Sequence, residues 1–116
     1  MQKDTLGKLI GLELTSVEFV RDYVQLRFDG TVLSAYTLPK IYVGNKKVAS
    51  PSSVGYADML IANIGRVVKR ADDSGGTEIV IEFTNEQALK ISLLDKDRRA
   101  DEAALMSTEE GGFWSW

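Results

Sequence analysis

A chain of 116 residues is the size of one domain, residues 1–116, and is too short for two. Its 44% hydrophobic and 27% charged residues exclude an intrinsically disordered protein, and its net charge of -3 gives no general attraction to nucleic acid. The absence of Cys and His excludes disulfides and thiolate or imidazole metal ligands, and it removes the commonest general base. We therefore expect a protein that is not an enzyme and that binds no cofactor or metal.

The first part of the chain predicts a strand followed by a β-hairpin. Apolar and polar residues alternate from Leu12 to Phe19, with a slip near Ser16 that indicates a bulge or a strand end. Residues 22–38 are typical of a hairpin, because Asp29-Gly30 favours the positive φ angles of a type I′ turn. The predicted inner face pairs Phe28 with Thr31, Leu26 with Leu33 and Val24 with Ala35, and the outer face pairs Tyr23 with Tyr36, Gln25 with Ser34 and Arg27 with Val32.

The middle of the chain predicts a short strand, a loop and one helix. Residues 41–43 are strand-like, residues 44–47 turn-like and residues 50–53 loop-like. A helix is predicted over residues 54–64, with Ser52 or Ser53 as its N-cap and Gly65 after its C-terminus. Its apolar stripe, which we expect to cover one face of the sheet, is formed by Ala57, Leu60, Ile61 and Ile64.

A second meander of three strands is predicted over residues 66–72, 77–84 and 88–94. If residues 85–87 form a three-residue loop, the last two strands pair in one register. That register places Phe83 opposite Leu89, Ile81 opposite Ile91, Ile79 opposite Leu93 and Glu82 opposite Lys90. We also expect Arg66 and Arg70 to lie near Glu82 and Glu78 in the first two strands.

The end of the chain predicts a charged connection over residues 95–101 and then a pair of strands that reaches Trp116. Because two exposed Trp side chains would be costly, we expect this segment to pair at a sheet edge. The predicted fold is therefore α+β and mainly antiparallel β, with two three-stranded meanders, one inserted helix and a C-terminal strand pair. Two interpretations of the meanders remain open: an internal duplication, or the general similarity of any two hairpins.

Motifs that would indicate chemistry are weak. Most Asp residues fall in predicted turns and caps, and the run from Asp95 to Asp101 lacks the glycine and terminal Glu of a calcium loop. The glycines at 75–76 lie between two strands, without the spacing of a phosphate-binding loop. The basic residues that could attract nucleic acid are Lys40, Lys46, Lys47, Arg66, Lys69 and Arg70. Because Arg66 and Arg70 have acidic partners in the expected sheet, we do not expect nucleic-acid binding.

The most informative surface is the outer face of the first hairpin. It combines tyrosines, an arginine and an aliphatic residue, as protein interfaces do. The alternative is that the helix or the C-terminal segment covers it. The same choice between a partner and intramolecular packing applies to the two tryptophans. The candidate protein-binding residues are Tyr23, Arg27, Val32, Tyr36, Trp114 and Trp116.

Short segments along most of the chain carry a resemblance to known proteins. They are Leu26-Arg27-Phe28-Asp29-Gly30, Gly55-Tyr56-Ala57-Asp58-Met59-Leu60 with Ile64-Gly65, Glu82-Phe83, Glu102-Ala103-Ala104-Leu105 and Phe113-Trp114-Ser115-Trp116. Together they resemble small uncharacterised bacterial proteins, some of which are similar to immunity proteins encoded beside polymorphic toxins. The resemblance implies a bacterial protein with no enzymatic role that binds another protein, and it transfers no site residue.

Two functional hypotheses follow. The first is a non-enzymatic protein-binding module, either an inhibitor or an assembly subunit, with a protein partner or self-association. The alternative is a ligand-binding domain or a carboxylate-based enzyme with a cleft between helix and sheet. Because Met1-Gln2-Lys3-Asp4-Thr5 lacks the features of a signal peptide and no apolar run is long enough to span a membrane, we expect a cytoplasmic protein with no membrane contact.

Overall fold

Two antiparallel sheets of five strands each form the protein, in a computed structural model that describes residues 5–116, with the backbone alone for Ser74. The expectation about the N-terminal residues 1–4 lies outside this range. Within it, one short α-helix is present, so the predicted α+β class with mainly antiparallel β content is confirmed. The strands are β1 Ser16–Val20, β2 Tyr23–Phe28, β3 Thr31–Ala35, β4 Lys40–Val43, β5 Lys46–Ala49, β6 Val68–Asp72, β7 Glu78–Phe83, β8 Gln87–Ser92, β9 Ala104–Ser107 and β10 Phe113–Ser115; the helix is α1 Tyr56–Ile61.

Each sheet contains one of the predicted meanders. Sheet one has the order β1-β2-β3-β9-β10, so the predicted C-terminal strand pair extends the first meander. Sheet two has the order β5-β4-β8-β7-β6, in which β6, β7 and β8 form the second meander. Three short 3₁₀ helices, Leu6–Leu9, Ser74–Gly76 and Asp95–Asp97, complete the described secondary structure. Whether the meanders arose by duplication remains a prediction.

The register of the first hairpin is the predicted one, although its turn has a different geometry. Leu26 lies opposite Leu33, and Arg27 lies opposite Val32. Asp29 has the expected positive φ of 57°, whereas Gly30 does not, so the turn is not of type I′. A Cβ at Gly30 would meet the end of the Glu109 side chain, which is exposed and would have to move.

The register of the second hairpin was predicted incorrectly by two residues. Ile81 lies opposite Leu89 and Ile79 opposite Ile91, because residues 84–86 form the loop in place of 85–87. Glu86 adopts a left-handed φ of 72° there, a conformation that the sequence does not signal at a Glu. A shift of two residues leaves each side chain on its predicted face of the sheet. It places Lys90 opposite Val80, where the sequence analysis had placed it opposite Glu82.

The middle segment differs from the prediction in two ways. Residues 46–49 form strand β5 next to β4, whereas the sequence analysis placed residues 46 and 47 in a turn and predicted no strand here. The helix has six residues, and Gly55 precedes it with no side-chain cap from either serine. Its buried side chains are Tyr56 and Leu60, whereas the predicted stripe is mainly exposed, namely at Ala57, Ile61 and Ile64.

One continuous segment joins the two sheets at a corner. Leu14 donates a backbone hydrogen bond to Arg66 and accepts one from Gly65, beside β6, whereas Val17 a few residues later pairs with Leu26 of β2. Of the two alternatives predicted near Ser16, the strand end is observed: β1 begins at Ser16 and pairs with β2 without a bulge, where the segment passes from one sheet to the other. The inner faces of both sheets share one apolar core, whose largest fully buried residues include Phe28, Phe83, Leu26, Leu33, Ile79, Ile81 and Leu89.

Candidate functional site

The outer face of sheet one contains four of the six candidate residues. Tyr23 and Tyr36 lie side by side on neighbouring strands, with ring centroids 5.0 Å apart and planes inclined at 48°. Arg27 and Val32 are cross-strand neighbours further along the same face. All four side chains are partly exposed. The alternation of β2 explains their position, because Val24, Leu26 and Phe28 face the core between them.

A hydrogen-bonded network orients Arg27 on this face. Its guanidinium donates to Glu18 at 2.7 Å and to Gln25 at 2.9 Å. Gln25 in turn donates to the hydroxyl of Ser34 at 3.2 Å. The network therefore crosses β1, β2 and β3, and it restricts the rotamers of Arg27 before any partner arrives. Preorganisation of this kind lowers the entropic cost of binding.

Two further apolar residues lie on the same outer face, and the sequence analysis did not identify them. Leu105 lies opposite Ser34, and Phe113 lies opposite Ser107. Phe113 is 59% exposed, more than any other aromatic side chain in the described part of the chain. The pairing of β9 with β3 brings these residues to the face, and this long-range contact has no local sequence signal. The sequence showed that residues 113–116 alternate between two faces, but it did not show which of these side chains lie on the outer face.

The two tryptophans lie on the opposite, inner side of the same sheet. Trp114 is paired with the fully buried Met106, and Trp116 packs against the core as well. The indole of Trp116 donates a hydrogen bond of 2.8 Å to Asp73, which follows β6 of sheet two. The six candidate residues therefore do not form one continuous surface. Tyr23, Arg27, Val32 and Tyr36 are together, and Trp114 and Trp116 are separated from them by the sheet.

Two cavities adjoin the tyrosine pair. One, of about 490 Å³, is lined by both tyrosines together with Asp22, Arg99 and Ala100. The other, of about 450 Å³, lies between α1 and the end of sheet one. Tyr23 lines both cavities. The outer face thus ends beside two depressions that share Tyr23, and depressions of this kind can receive side chains of a partner.

The second cavity is a cleft between helix and sheet. Its walls include Phe19, Val20 and Tyr56, and its volume is within the range of small-molecule sites. The Tyr56 hydroxyl donates a 2.6 Å hydrogen bond to the carbonyl of Pro39, and burial raises the pKa of this phenol above its ordinary value. Asp58, the carboxylate that lines the cleft, is exposed. The cleft therefore offers apolar contacts and little for acid–base chemistry.

Among residues 5–116, no group of three or more acidic side chains is arranged to hold a metal ion. In the same range, no helix has the length and apolar character needed to cross a bilayer. Comparison of the chain with protein-family models, with characterised proteins and with solved structures found no match.

Proposed function

We propose that this protein is a non-enzymatic protein-binding module that engages its partner through the outer face of sheet one. The observation that carries the proposal is the combination, on one face, of a tyrosine pair, an oriented arginine and the exposed Phe113. Tyr and Arg are enriched among the residues that dominate binding energy in protein interfaces. These residues are supported by strands, so they are held in place without a partner.

The expected mode of action is occlusion: the face covers a functional surface of the partner, as an inhibitor or an assembly subunit does. The resemblance to small bacterial proteins, including immunity-like ones, agrees with this role. The net charge of -3 favours encounter with a positively charged partner. A second copy of the chain is the other candidate partner. A cytoplasmic location is part of the same proposal.

An affinity capture experiment with the unchanged chain and two variants tests the proposal. Tagged protein is incubated with lysate of its source organism, with and without nuclease, and recovered proteins are identified and quantified. The test variant is Tyr23→Ala/Tyr36→Ala, and the matched control is Tyr42→Ala, which removes a partly exposed tyrosine from sheet two. We expect one stoichiometric, nuclease-resistant protein with the unchanged chain and with the control. The test variant should bind it at least about 30-fold more weakly, as for residues at interface hot spots.

Light scattering separates a foreign partner from self-association. A dimer that the tyrosine variant abolishes supports the same face with a second copy as partner. Equal recovery by the test and control variants, together with an unchanged oligomeric state, would overturn the proposal.

The cleft between α1 and sheet one supports a second candidate function, small-ligand binding. Its volume of about 450 Å³ and its aromatic walls are the specific observations in favour. The test is a thermal-shift screen of small molecules with the unchanged chain and with Ala57→Trp, which places an indole in the cleft. A ligand that stabilises the former and not the latter supports this function. Stabilisation of both variants alike would exclude the cleft as its site.

A further inference from the structure

The outer face of sheet two contains an unusual pair of like charges. Lys40 of β4 and Lys90 of β8 lie directly opposite each other on neighbouring antiparallel strands. Side chains at such positions have Cβ atoms about 5 Å apart, and like charges there destabilise a sheet. A cross-strand lysine pair therefore needs compensation, either from the protein or from a bound anion.

The protein compensates Arg70, another cation of this face, more fully. Arg70 contacts Asp72 at 2.8 Å and Glu82 at 3.3 Å, whereas the sequence analysis placed Arg70 near Glu78 and Arg66 near Glu82. Lys90 has a looser ion pair of 3.8 Å with Glu78 and lies 4.2 Å from the ring centroid of Tyr42. Within residues 5–116, Lys40 takes part in none of the ion pairs. Lys40 is thus the member of the lysine pair that has no ion pair within the described residues.

A cavity of about 190 Å³ opens at the same place. The chain brings a third cation to it, Arg99, which likewise makes no ion pair within the described residues. Asp97 supplies one carboxylate, and its orientation is fixed by a 2.6 Å hydrogen bond from Ser92. The polar residues that line the cavity are Thr37, Lys40, Lys90, Ser92, Asp97 and Arg99.

One wall of the cavity contains an unsatisfied polar group. Thr37 is buried, and its hydroxyl has no hydrogen-bond partner in the part of the chain that the structure describes. A buried polar group without a partner costs about 1–3 kcal/mol, so native proteins rarely leave one. The hydroxyl oxygen itself is not accessible to solvent, so Thr37 contributes to the wall of the cavity and is not counted as a donor to the ligand.

We propose that this cavity is a binding site for a phosphate group, either inorganic phosphate or the phosphate of a small monoester. Three positive side chains and one negative side chain line it, and Glu78, which is paired with Lys90, lies just outside the lining, so the surroundings of the cavity remain positive. A phosphate group presents three strong acceptor oxygens, enough to contact Lys40, Lys90 and Arg99 together, whereas a carboxylate presents two. Lysine and arginine are also usual donors to phosphate oxygens.

Inorganic phosphate is the first probe, in an NMR titration of the ¹⁵N-labelled chain at constant ionic strength. We expect saturable shifts at residues 37, 40, 90 and 92, and none of comparable size with acetate or chloride. O-phosphoserine, titrated in parallel, distinguishes the two sources: tighter binding than inorganic phosphate indicates a monoester site, and weaker binding indicates a site for the free ion. Acetate that saturates the same residues as tightly as phosphate would overturn the proposal.

Two test variants and one control identify the residues. Lys40→Gln and Arg99→Gln should each weaken phosphate binding by about tenfold, the usual effect of removing a charged hydrogen-bond donor. Lys46→Gln/Lys69→Gln removes two exposed lysines that do not line the cavity and should change binding less than about twofold. Equal losses in the test and control variants would show general charge attraction and overturn the site.

The unfolding temperature gives an independent readout, first without phosphate and then with it. In chloride at low ionic strength, Lys40→Gln should unfold at the same temperature as the unchanged chain or at a higher one, because it removes the like-charge pair. At the same phosphate concentration, the unfolding temperature of the unchanged chain should rise by more than that of Lys40→Gln, because the variant binds phosphate more weakly. A phosphate-induced rise of equal size in both proteins would contradict the proposal.

Discussion

Replacing Trp116 by Phe tests the hydrogen bond that joins the end of sheet one to the end of sheet two. The indole donates to Asp73 at 2.8 Å, and the other carboxylate oxygen of Asp73 is buried without a partner among the described residues. A hydrogen bond to a charged group contributes about 1.5–3 kcal/mol, and its loss leaves this carboxylate less well solvated. We expect the free energy of unfolding to fall by about 2 kcal/mol, measured by urea denaturation with far-UV circular dichroism. The unfolding temperature should fall by roughly 6–12 °C.

Two controls isolate the hydrogen bond from the change in size. Trp114→Phe makes the same substitution on the same face of β10, at a residue with no such bond to Asp73, and should cost less than about 1.5 kcal/mol. A double-mutant cycle between Trp116→Phe and Asp73→Ala should give a coupling energy of about 1–2 kcal/mol. A coupling below about 0.5 kcal/mol, or equal losses for the two Trp variants, would refute the reasoning.

Three other predictions concern the core, the buried phenol and one glycine. Leu26→Ala, Ile81→Ala and Phe83→Ala each empty a fully buried position and should each lower the free energy of unfolding by ~2–5 kcal/mol; losses below about 0.5 kcal/mol at all three would contradict the assigned faces. Because burial raises the pKa of Tyr56 above 10.0, the unfolded chain loses this proton first, so stability should fall as the pH rises above about 10, and Tyr56→Phe should flatten that fall in alkaline urea titrations. Gly65 has a φ of 94°, and Gly65→Ala should cost about 1–2 kcal/mol by calorimetry; a change near zero would show that the backbone relaxes.

The first hairpin was predictable because its register depends on local chemistry alone. A two-residue turn at Asp29-Gly30 fixes the cross-strand pairs whichever turn type it adopts. The incorrect turn type therefore did not change which residues were predicted to face the core. The second hairpin depends on where a three-residue loop begins. That choice is made by the left-handed Glu86 and by the side chain of Asn85, which accepts a hydrogen bond from the backbone of Gln87. Apolar residues at every second position could not distinguish registers that differ by two.

The helix shows a different limit of sequence analysis. An apolar stripe predicts the buried side of a helix only where tertiary contacts agree with it, and here Tyr56 and Leu60 face the core while Ile61 and Ile64 remain exposed. Tyr56 is held by Pro39, a residue far away in sequence that no local pattern connects to it. The candidate site was predictable to the same extent as its strands were. The tyrosine pair and Arg27 follow from the hairpin, whereas Phe113 and Leu105 join the face through β9.

The pairing of β3 with β9 determines when this protein can fold. During synthesis the first meander emerges early, but one edge of β3 has no partner until residues 104–107 follow. Sheet two is delayed in the same way, since β4 waits for β8. Contacts between residues so distant in sequence slow folding, and unpaired strand edges are prone to associate with other chains. We therefore expect the nascent chain to depend on protection of the β3 edge, by the ribosome surface or by a chaperone, until the second half of the sequence arrives.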